Sequence, residues 1–515
     1  MRFFWNILCL LCTVLSLSQA LRILGVFPHS GISHFVVMRP LMKELAKRGH
    51  EVTVVSHFPL DKPVPRYKDI SIAGTAPLII EKMSMQDFYD FSRISLYVTP
   101  FVVTGFGESV CRGAYASNKL DEIFESSHKY DLMIAEMFNS DCFLPINHKL
   151  NIPIIGMSSS ALLPWMYGRF GIPTNPSYMT NIILDHPKRL SFVQRLENTV
   201  ITGLERLFFY QWRNRRDTQI ARSYFKEDIP HVSEFAKNAS LMLVNSHFTL
   251  NNAQTYPPNV IEVGGIHLPE KNETLPKNIL KFIEESPHGV IFFSLGSTVK
   301  STTMPARERE QILSAFARLP QRVLWKWESD TMPGKPDNVM IQKWMPQFDI
   351  LSHPNVVAFI CHGGLLGVQE AVYNGVPMLV MPQHGDQHTN AKAVEDNGGG
   401  IVLYLKDVTL ERFYQSLQTI LHPEFKAKAK ALSERFRDRP NSPMDTAVYW
   451  VEYVARHKGA PHIKTAAVDM PSYQYLLLDV YAFLLASSVI AVYIWYRITR
   501  SLLKCMFVKK KVKQN

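Results

Sequence analysis

The run Val356-Val357-Ala358-Phe359-Ile360 is continuously apolar, and Cys361-His362-Gly363-Gly364 follows it at once, leading into a helical pattern that passes Glu370. A strand without polar alternation must be covered on both faces, as in a parallel sheet between helical layers. The same unit recurs along the second half. Val290-Ile291-Phe292-Phe293-Ser294 leads into Leu295-Gly296-Ser297, and Arg322–Trp327, Val339–Gln342, Met378–Met381 and Gly400–Leu403 are further strand runs. The first half has its own series. Leu21–Val26 reads as a strand, Phe27–Ser33 as a loop, Phe35–Lys47 as an amphipathic helix ended by Gly49, and Glu51–Ser56 as the next strand. Asp131–Ala135, Ile152–Gly156, Leu241–Asn245 and Val260–Val263 continue that sheet, and Pro173–Phe225 reads as helical. Strand-helix alternation of this kind predicts an α/β fold of two Rossmann-like doubly wound domains facing a cleft. The expected domains are residues 21–263 and 278–460, joined by a linker over Gly264–Lys277 that contains Pro269 and Pro276.

At 515 residues the chain is long enough for two full cores. The net charge of +11 does not point to nucleic acid, because seven of the positive charges lie in residues 497–515, which hold no acid. The body is left near +4 over almost five hundred residues. Cys9 and Cys12 fall near the start and Cys505 in the tail, leaving Cys111, Cys142 and Cys361 in the folded part. These three predict at most one bridge, with buried free thiols the favoured state. No Cys or His pair has metal-ligand spacing, and no metal cofactor is expected.

Both ends of the chain carry topological signals. Arg2, the apolar stretch Phe3–Leu17 and Ser18-Gln19-Ala20 fit a cleaved leader over residues 1–20, with an uncleaved anchor as the alternative. Residues 475–496 form an apolar run broken by Asp479, long enough to span a bilayer at ~1.5 Å per residue. A buried core helix is the other reading, but the basic block over 497–515 suits a cytosolic flank. The expected arrangement is single-pass type I, with both domains lumenal. Lys511 and Lys513 resemble a dilysine retrieval signal of the endoplasmic reticulum, or serve simply as stop-transfer charge. Asn238-Ala239-Ser240 and Asn272-Glu273-Thr274 are glycosylation acceptors on the lumenal side.

The chemistry concentrates where strands meet helices. Glycines after the Val356–Ile360 strand start a helix tightly, and its free N–H groups make an anion site to which His362 adds a donor. Glu370 lies about two turns along that helix, and Asp386-Gln387 follows the strand ending at Met381. With Trp344-Met345-Pro346-Gln347 upstream, this spaced set resembles the donor signature of the UDP-glycosyltransferase family. The resemblance covers nearly the whole chain and is closest to insect microsomal members. Gly367 stands where many members have Ser and Leu366 where many have Asn, so fewer side chains are expected on the phosphates.

The resemblance implies a UDP-sugar co-substrate and assigns residues to it. Trp344 stacks uracil and Gln347 bonds base or ribose; Gly296, Ser297, His362 and Gly364 meet the diphosphate. Glu370 takes the ribose diol, and Asp386 and Gln387 the hexose hydroxyls. It also implies a catalytic histidine in the loop Pro28–Phe35, for which His34 is the candidate and His29 a weaker neighbour. Imidazole ordinarily titrates near ~6.5 and can accept a proton at neutral pH. An acid should orient it: strand-end position favours Glu136 and side-chain type favours Asp141, and Asp141 is the choice. The activity implied is inverting transfer of a hexose to a hydroxyl of a small lipophilic acceptor, a conjugation or detoxification reaction, with glucose favoured by the insect likeness. Transfer to a steroid hormone or membrane lipid, or an inactive nucleotide-sugar-binding protein, are the alternatives. The stretch Pro173–Phe225 would cover the acceptor pocket.

Overall fold

The computed structural model describes residues 20–89, 93–125, 129–269 and 274–512. Residues 1–19 of the expected leader, Asn272 and Lys513 lie outside them. The chain divides into two units, one ending at Lys464 and the other starting at Thr465.

Among the described residues the first unit holds two large parallel sheets and a two-stranded parallel pairing of Met83–Ser84 with Val299–Lys300. The amino-terminal sheet contains β1 (Arg22–Phe27), followed by helix α1 (Ile32–Lys47), then β2 (Glu51–Ser56) and β3 (Tyr67–Ser71). Helix α2 (Arg93–Ala116) precedes β4 (Leu132–Glu136) and β5 (Ile154–Ser158); helices α3 (Phe192–Phe208) and α4 (Asn214–Phe225) precede β6 (Leu241–Val244) and β7 (Val260–Glu262). Its order is β3-β2-β1-β4-β5-β6-β7, all parallel. The second sheet is built from β8 (Val290–Ser294), β9 (Arg322–Lys326), β10 (Val339–Gln342), β11 (Val356–Cys361), β12 (Met378–Val380) and β13 (Gly400–Val402). Helices α5 (Leu365–Asn374) and α6 (Gln387–Asp396) lie on either side of β12 in the chain. The order here is β10-β9-β8-β11-β12-β13, again all parallel. Each expected strand is present, none displaced by more than two residues. In both sheets the order reverses beside the first strand, and α/β sheets bind ligands outside the carboxyl ends at such reversals.

Burial explains the uninterrupted apolar strands. Along β1 and β4, Leu24, Val26, Met133 and Ala135 pack into one layer, whereas Ile23, Leu132 and Ile134 pack into the other with Met38, Leu41 and Leu45 of α1. That second layer is completed from far along the chain. Helix α7 (Pro443–Arg456) inserts Ala447, Val448, Val451 and Val454 into it, capped at its start by Ser442. Arg48 on the turn after α1 also donates to Asp445 at 2.5 Å. Residues 443–460, expected in the second domain, therefore cover the first sheet. An amphipathic stripe packs where an apolar face is open, not where the chain order suggests.

Two further expectations are corrected. Cys111 on α2 and Cys142 beyond β4 form a disulfide, so of the three body thiols only Cys361 is free and buried. Pro173–Phe225 is not helical throughout: Pro173, Pro176 and Pro187 fall in turns and irregular backbone, and helix begins at Phe192. A π-helical turn over Phe209–Arg213 then joins α3 to α4. Helix α3 is also inverted. Its buried residues are Asn198, Thr202 and Glu205, and its exposed ones include Phe192, Leu196, Val200, Leu204 and Leu207.

In the second unit, helix α8 (Leu478–Val512) contains a 28-residue apolar stretch, Leu478–Cys505, long and apolar enough to cross a membrane. At about 1.5 Å per residue it exceeds a hydrocarbon core of about 30 Å. The helix begins after Leu477, which adopts φ +54°, and continues through Arg497 and Arg500, so it starts and ends later than the expected span, 475–496.

Candidate active site

A cavity of about 650 Å³ runs along the carboxyl edges of both sheets. Ten of the eleven expected site residues line it: His34, Gly296, Ser297, Trp344, Gln347, His362, Gly364, Glu370, Asp386 and Gln387. Asp141 does not.

His34 lies in the first turn of α1, just after β1. Its Nδ1 is 2.6 Å from Oε1 of Glu136, the last residue of β4, and 2.9 Å from Oγ of Ser159, just beyond β5. Three neighbouring strand ends thus converge on one ring nitrogen. A carboxylate on Nδ1 fixes the proton there, leaving Nε2 as the lone-pair nitrogen. The ring is held from its faces as well. His29 stacks on it with centroids 3.8 Å apart, and Phe138 meets it edge-on at 4.5 Å. His29 accepts the Gly31 N–H on Nδ1 at 2.9 Å, and burial, then the His34 charge, holds its pKa well below the ordinary value.

Glu136, not Asp141, is therefore the acid beside His34. Asp141 is buried under Arg169, whose Nη1 donates to Oδ1 at 2.9 Å and whose Nη2 donates to Oδ2. The reason is positional. Glu136 ends β4 beside the β1 loop, whereas Asp141 lies five residues on, in a turn folded against Arg169. Ser159 was not anticipated; its signal was the Ser158-Ser159-Ser160 run closing a strand.

On the opposite wall, β8 and β11 end beside each other, and His362 occupies the crevice. An added Cβ on Gly296 would stand 2.6 Å from the His362 Cε1, and one on Gly364 2.5 Å from its Nε2. Gly296 also has φ +82°, which favours glycine. The imidazole is clamped between two backbones that only glycine lets this close. Burial, then His384 and Lys326, pushes its pKa down to about 3, so the ring is neutral; its Nδ1 is buried without a partner. Lys326, the last residue of β9, donates to the Gly296 carbonyl at 3.0 Å and brings a cation that sequence reasoning missed.

Gln347 and Glu370 meet: Nε2 donates to Oε2 at 2.6 Å. Burial raises the Glu370 pKa to about 7, against the pull of Gln347. Trp344 stands at the mouth, 70% exposed, leaving a ring face uncovered. Gly367, where a hydroxyl was expected to be missing, faces Gln347: an added Cβ would lie 3.0 Å from its Nε2.

Asp386 accepts from Asn390 Nδ2 at 2.9 Å. Burial raises its pKa, against the pull of Asn390 and then of His34. Gln387, which lines the cavity, also holds its own loop. Its Oε1 accepts the N–H groups of Gln383 at 2.9 Å and His384 at 3.1 Å, which shapes the loop carrying Asp386.

One further cavity residue was not anticipated. Glu205 projects from the inward polar face of α3, 3% exposed, with Oε2 accepting from Asn181 Nδ2 at 2.8 Å and Oε1 unpartnered. Burial raises its pKa to about 7.

The family model described as "UDP-glucoronosyl and UDP-glucosyl transferase" matches residues 23–514. The chain is 42% identical over 494 residues to UDP-glycosyltransferase UGT5 of Dactylopius coccus, covering 94% of this chain and 93% of that one. It is 32% identical over 515 residues to UDP-glucuronosyltransferase 1A7 of Mus musculus, covering 97% and 95%. Among solved structures, the fold is similar to the glycotransferase of kitacinnamycin (TM-score 0.56, 16% identity, 84% and 99% covered) and to LpCGTa in complex with UDP (TM-score 0.53, 18% identity, 85% and 100% covered). With two facing parallel α/β domains and a family match over nearly its whole length, this chain belongs to the UDP-glucuronosyl and UDP-glucosyl transferase family.

Proposed function

We propose that the protein transfers a hexose, with glucose the favoured sugar, from a UDP-sugar to a hydroxyl of a small lipophilic acceptor, inverting the anomeric centre. The observation that carries this reading is that His34, paired with Glu136, lines the same cavity as His362. The acceptor O–H gives its proton to His34 Nε2 as its oxygen bonds the anomeric carbon. The bond from that carbon to the diphosphate oxygen breaks, and UDP leaves with the electron pair. Glu136 steadies the imidazolium so formed. Negative charge on the diphosphate meets the amino-terminal N–H groups of α5, the His362 ring and Lys326, a set of donors that serves without a metal ion. Trp344 is assigned to uracil, Gln347 and Glu370 to the nucleoside, Gly296 and Ser297 to the phosphates, and Asp386 to the sugar hydroxyls.

Topologically, we propose a type I protein of the endoplasmic reticulum with a lumenal body. Three features support it: the Leu478–Cys505 helix, the Cys111–Cys142 disulfide suited to an oxidising compartment, and an exposed Asn238 within a glycosylation triplet. The role is conjugation of apolar compounds.

The test supplies microsomes carrying the full chain with UDP-glucose or UDP-glucuronate and a panel of phenols and alcohols, and reads the product's sugar and anomeric configuration. A β-glucoside from UDP-glucose, lost in His34→Ala, is expected. Retained configuration, or full activity in His34→Ala, overturns the mechanism.

A further inference from the structure

A second cavity, of about 1090 Å³, opens where both connections between the domains pass α1. Its walls come from α1, from linker residues 264–269 and from the crossover over 436–444 that leads into α7. No residue lines both this cavity and the active-site cavity. The body of the chain carries an excess of only about four positive charges. Yet six cations line this one cavity, Arg39, Lys43, Lys47, Arg66, Arg437 and Arg439, against one carboxylate, Glu44. Glu44 already accepts from Lys47 at 3.1 Å and from Arg48 at 2.9 Å. Among the described residues, none of the other five cations forms a salt bridge with a carboxylate.

A solvated patch leaves its long side chains free, but three of these are fixed. Arg66 donates from Nη1 to the Gly49 carbonyl at 2.8 Å and has φ +62°, uncommon for a residue with a Cβ. The Arg437 guanidinium lies 4.7 Å from the Tyr373 ring centroid, and that of Arg439 lies 4.6 Å from the Phe436 centroid. Arg439 also donates from Nε to the Phe436 carbonyl at 2.9 Å, and its Nη2 is buried with no partner. Burial pushes the Arg439 pKa down to about 10, against the pull of Glu262. A buried donor without an acceptor is costly, and an anion removes that cost.

We propose that this cavity binds a soluble organic phosphate, at a site separate from the UDP-sugar site. Guanidinium forks meet phosphate oxygens in pairs, and forks that are already fixed lose little freedom on binding. Five cations without a salt bridge call for more than one negative charge. A phosphate monoester near neutral pH carries about −1.5 to −2, more than a single carboxylate. The wall also holds Pro40, Ile266, Leu268 and Met444, an apolar part that suits an organic body over bare phosphate.

The cavity is also placed to communicate with the donor. Helix α5 reaches both cavities, with Glu370 in one and Tyr373 in the other. His267 of the linker brings Nε2 to 4.0 Å from Glu370 Oε1, and the Gly265 N–H donates to Oε1 of Gln369 on α5 at 3.2 Å. Bound phosphate and bound UDP should therefore alter each other's affinity, by the same factor. That coupling rests on the proposed donor site; the phosphate site does not.

The test uses the detergent-purified full chain, with 1-naphthyl phosphate as the probe and saturating UDP to fill the donor site. Calorimetric titration should give a dissociation constant that rises about tenfold or more in Arg39→Gln on α1 and in Arg437→Gln on the crossover. Either variant decides alone, should the other fail to fold. Lys281→Gln, which removes an exposed cation outside the cavity, should bind as wild type does. Absence of binding to wild type, or wild-type affinity in a folded arginine variant, overturns the site. An equal loss in Lys281→Gln also overturns it, by showing charge attraction alone. Arg437→Gln further separates coupling from competition: the probe should shift UDP affinity in wild type and not in this variant. An equal shift in both would put the probe in the donor site and overturn the proposal. Probe binding that persists where UDP does not bind would overturn the donor reading alone.

Discussion

Nδ1 of His34 lies 2.6 Å from Oε1 of Glu136, across the two strands at which the order of the first sheet reverses. The pairing separates two acids that stand five residues apart. His34→Ala should lower turnover on alcohol acceptors by about 10²–10⁴-fold, and Glu136→Ala should fall in the same direction with UDP binding intact. Asp141→Asn should behave differently. It leaves buried Arg169 without its counter-ion, a loss on the order of 3–5 kcal/mol in stability. Thermal denaturation beside steady-state kinetics distinguishes the two. Normal turnover in folded Glu136→Ala would remove the orienting role.

The clamp on His362 gives a second expectation. Gly296→Ala and Gly364→Ala each force a methyl into the imidazole, at 2.6 and 2.5 Å, so the ring must leave its crevice. Donor KM should rise, with loss of about 1–3 kcal/mol of donor binding for a displaced buried partner. Gly367→Ala meets only the flexible end of Gln347 at 3.0 Å and should cost less. Gly203→Ala, with nothing near its Cβ, serves as the control. Equal donor KM values across the four variants would show that the crevice does not hold the donor.

These residues also show where sequence stops informing. The strands were legible because parallel strands buried on both faces are continuous apolar runs. Tyr67–Ser71 escaped because it is an edge strand whose residues, Tyr-Lys-Asp-Ile-Ser, remain mostly half-covered. The stripe of helix α7 says only that it needs an apolar face, and the face it found belongs to the amino-terminal sheet. Gly296, His362 and Gly364 could be placed at strand ends from spacing, yet their mutual clamp depends on the adjacency of β8 and β11, which are distant in sequence. Choosing Asp141 gave side-chain type more weight than strand-end position, and position was the physical determinant.

Glu370 supplies a pH dependence. Its folded pKa of about 7 lies above the ordinary carboxyl value because burial disfavours the charge. A raised folded pKa means its contribution to stability is complete below about pH 4.3 and is lost as pH rises through about 7. Glu370→Gln removes that loss. The variant's unfolding free energy relative to wild type should therefore be more favourable at pH 8 than at pH 5, by a difference on the order of 1–3 kcal/mol, read by denaturant titration at each pH. A pH-independent difference would show that the carboxylate is solvated in the folded protein.

Glu205 yields an expectation about the acceptor. Its Oε1 has no partner, and the cavity it lines is also walled by apolar Leu163, Trp165, Ile182 and Ile183. Leaving a buried polar atom unpaired costs about 1–3 kcal/mol, and an acceptor that brings a hydrogen-bonding group removes that cost. The enzyme should then prefer an aromatic acceptor with a second hydroxyl or amine, remote from the attacked oxygen, over the same ring without it. Glu205→Leu should erase the preference and improve KM for the plain ring. Glu205→Gln, which keeps hydrogen-bonding capacity without charge, should retain the preference for the hydroxyl and reduce that for the amine. Matched acceptor pairs assayed at saturating UDP-sugar give the ratio directly, and an unchanged ratio in the folded leucine variant would show that Glu205 serves the fold through Asn181 and does not meet the acceptor.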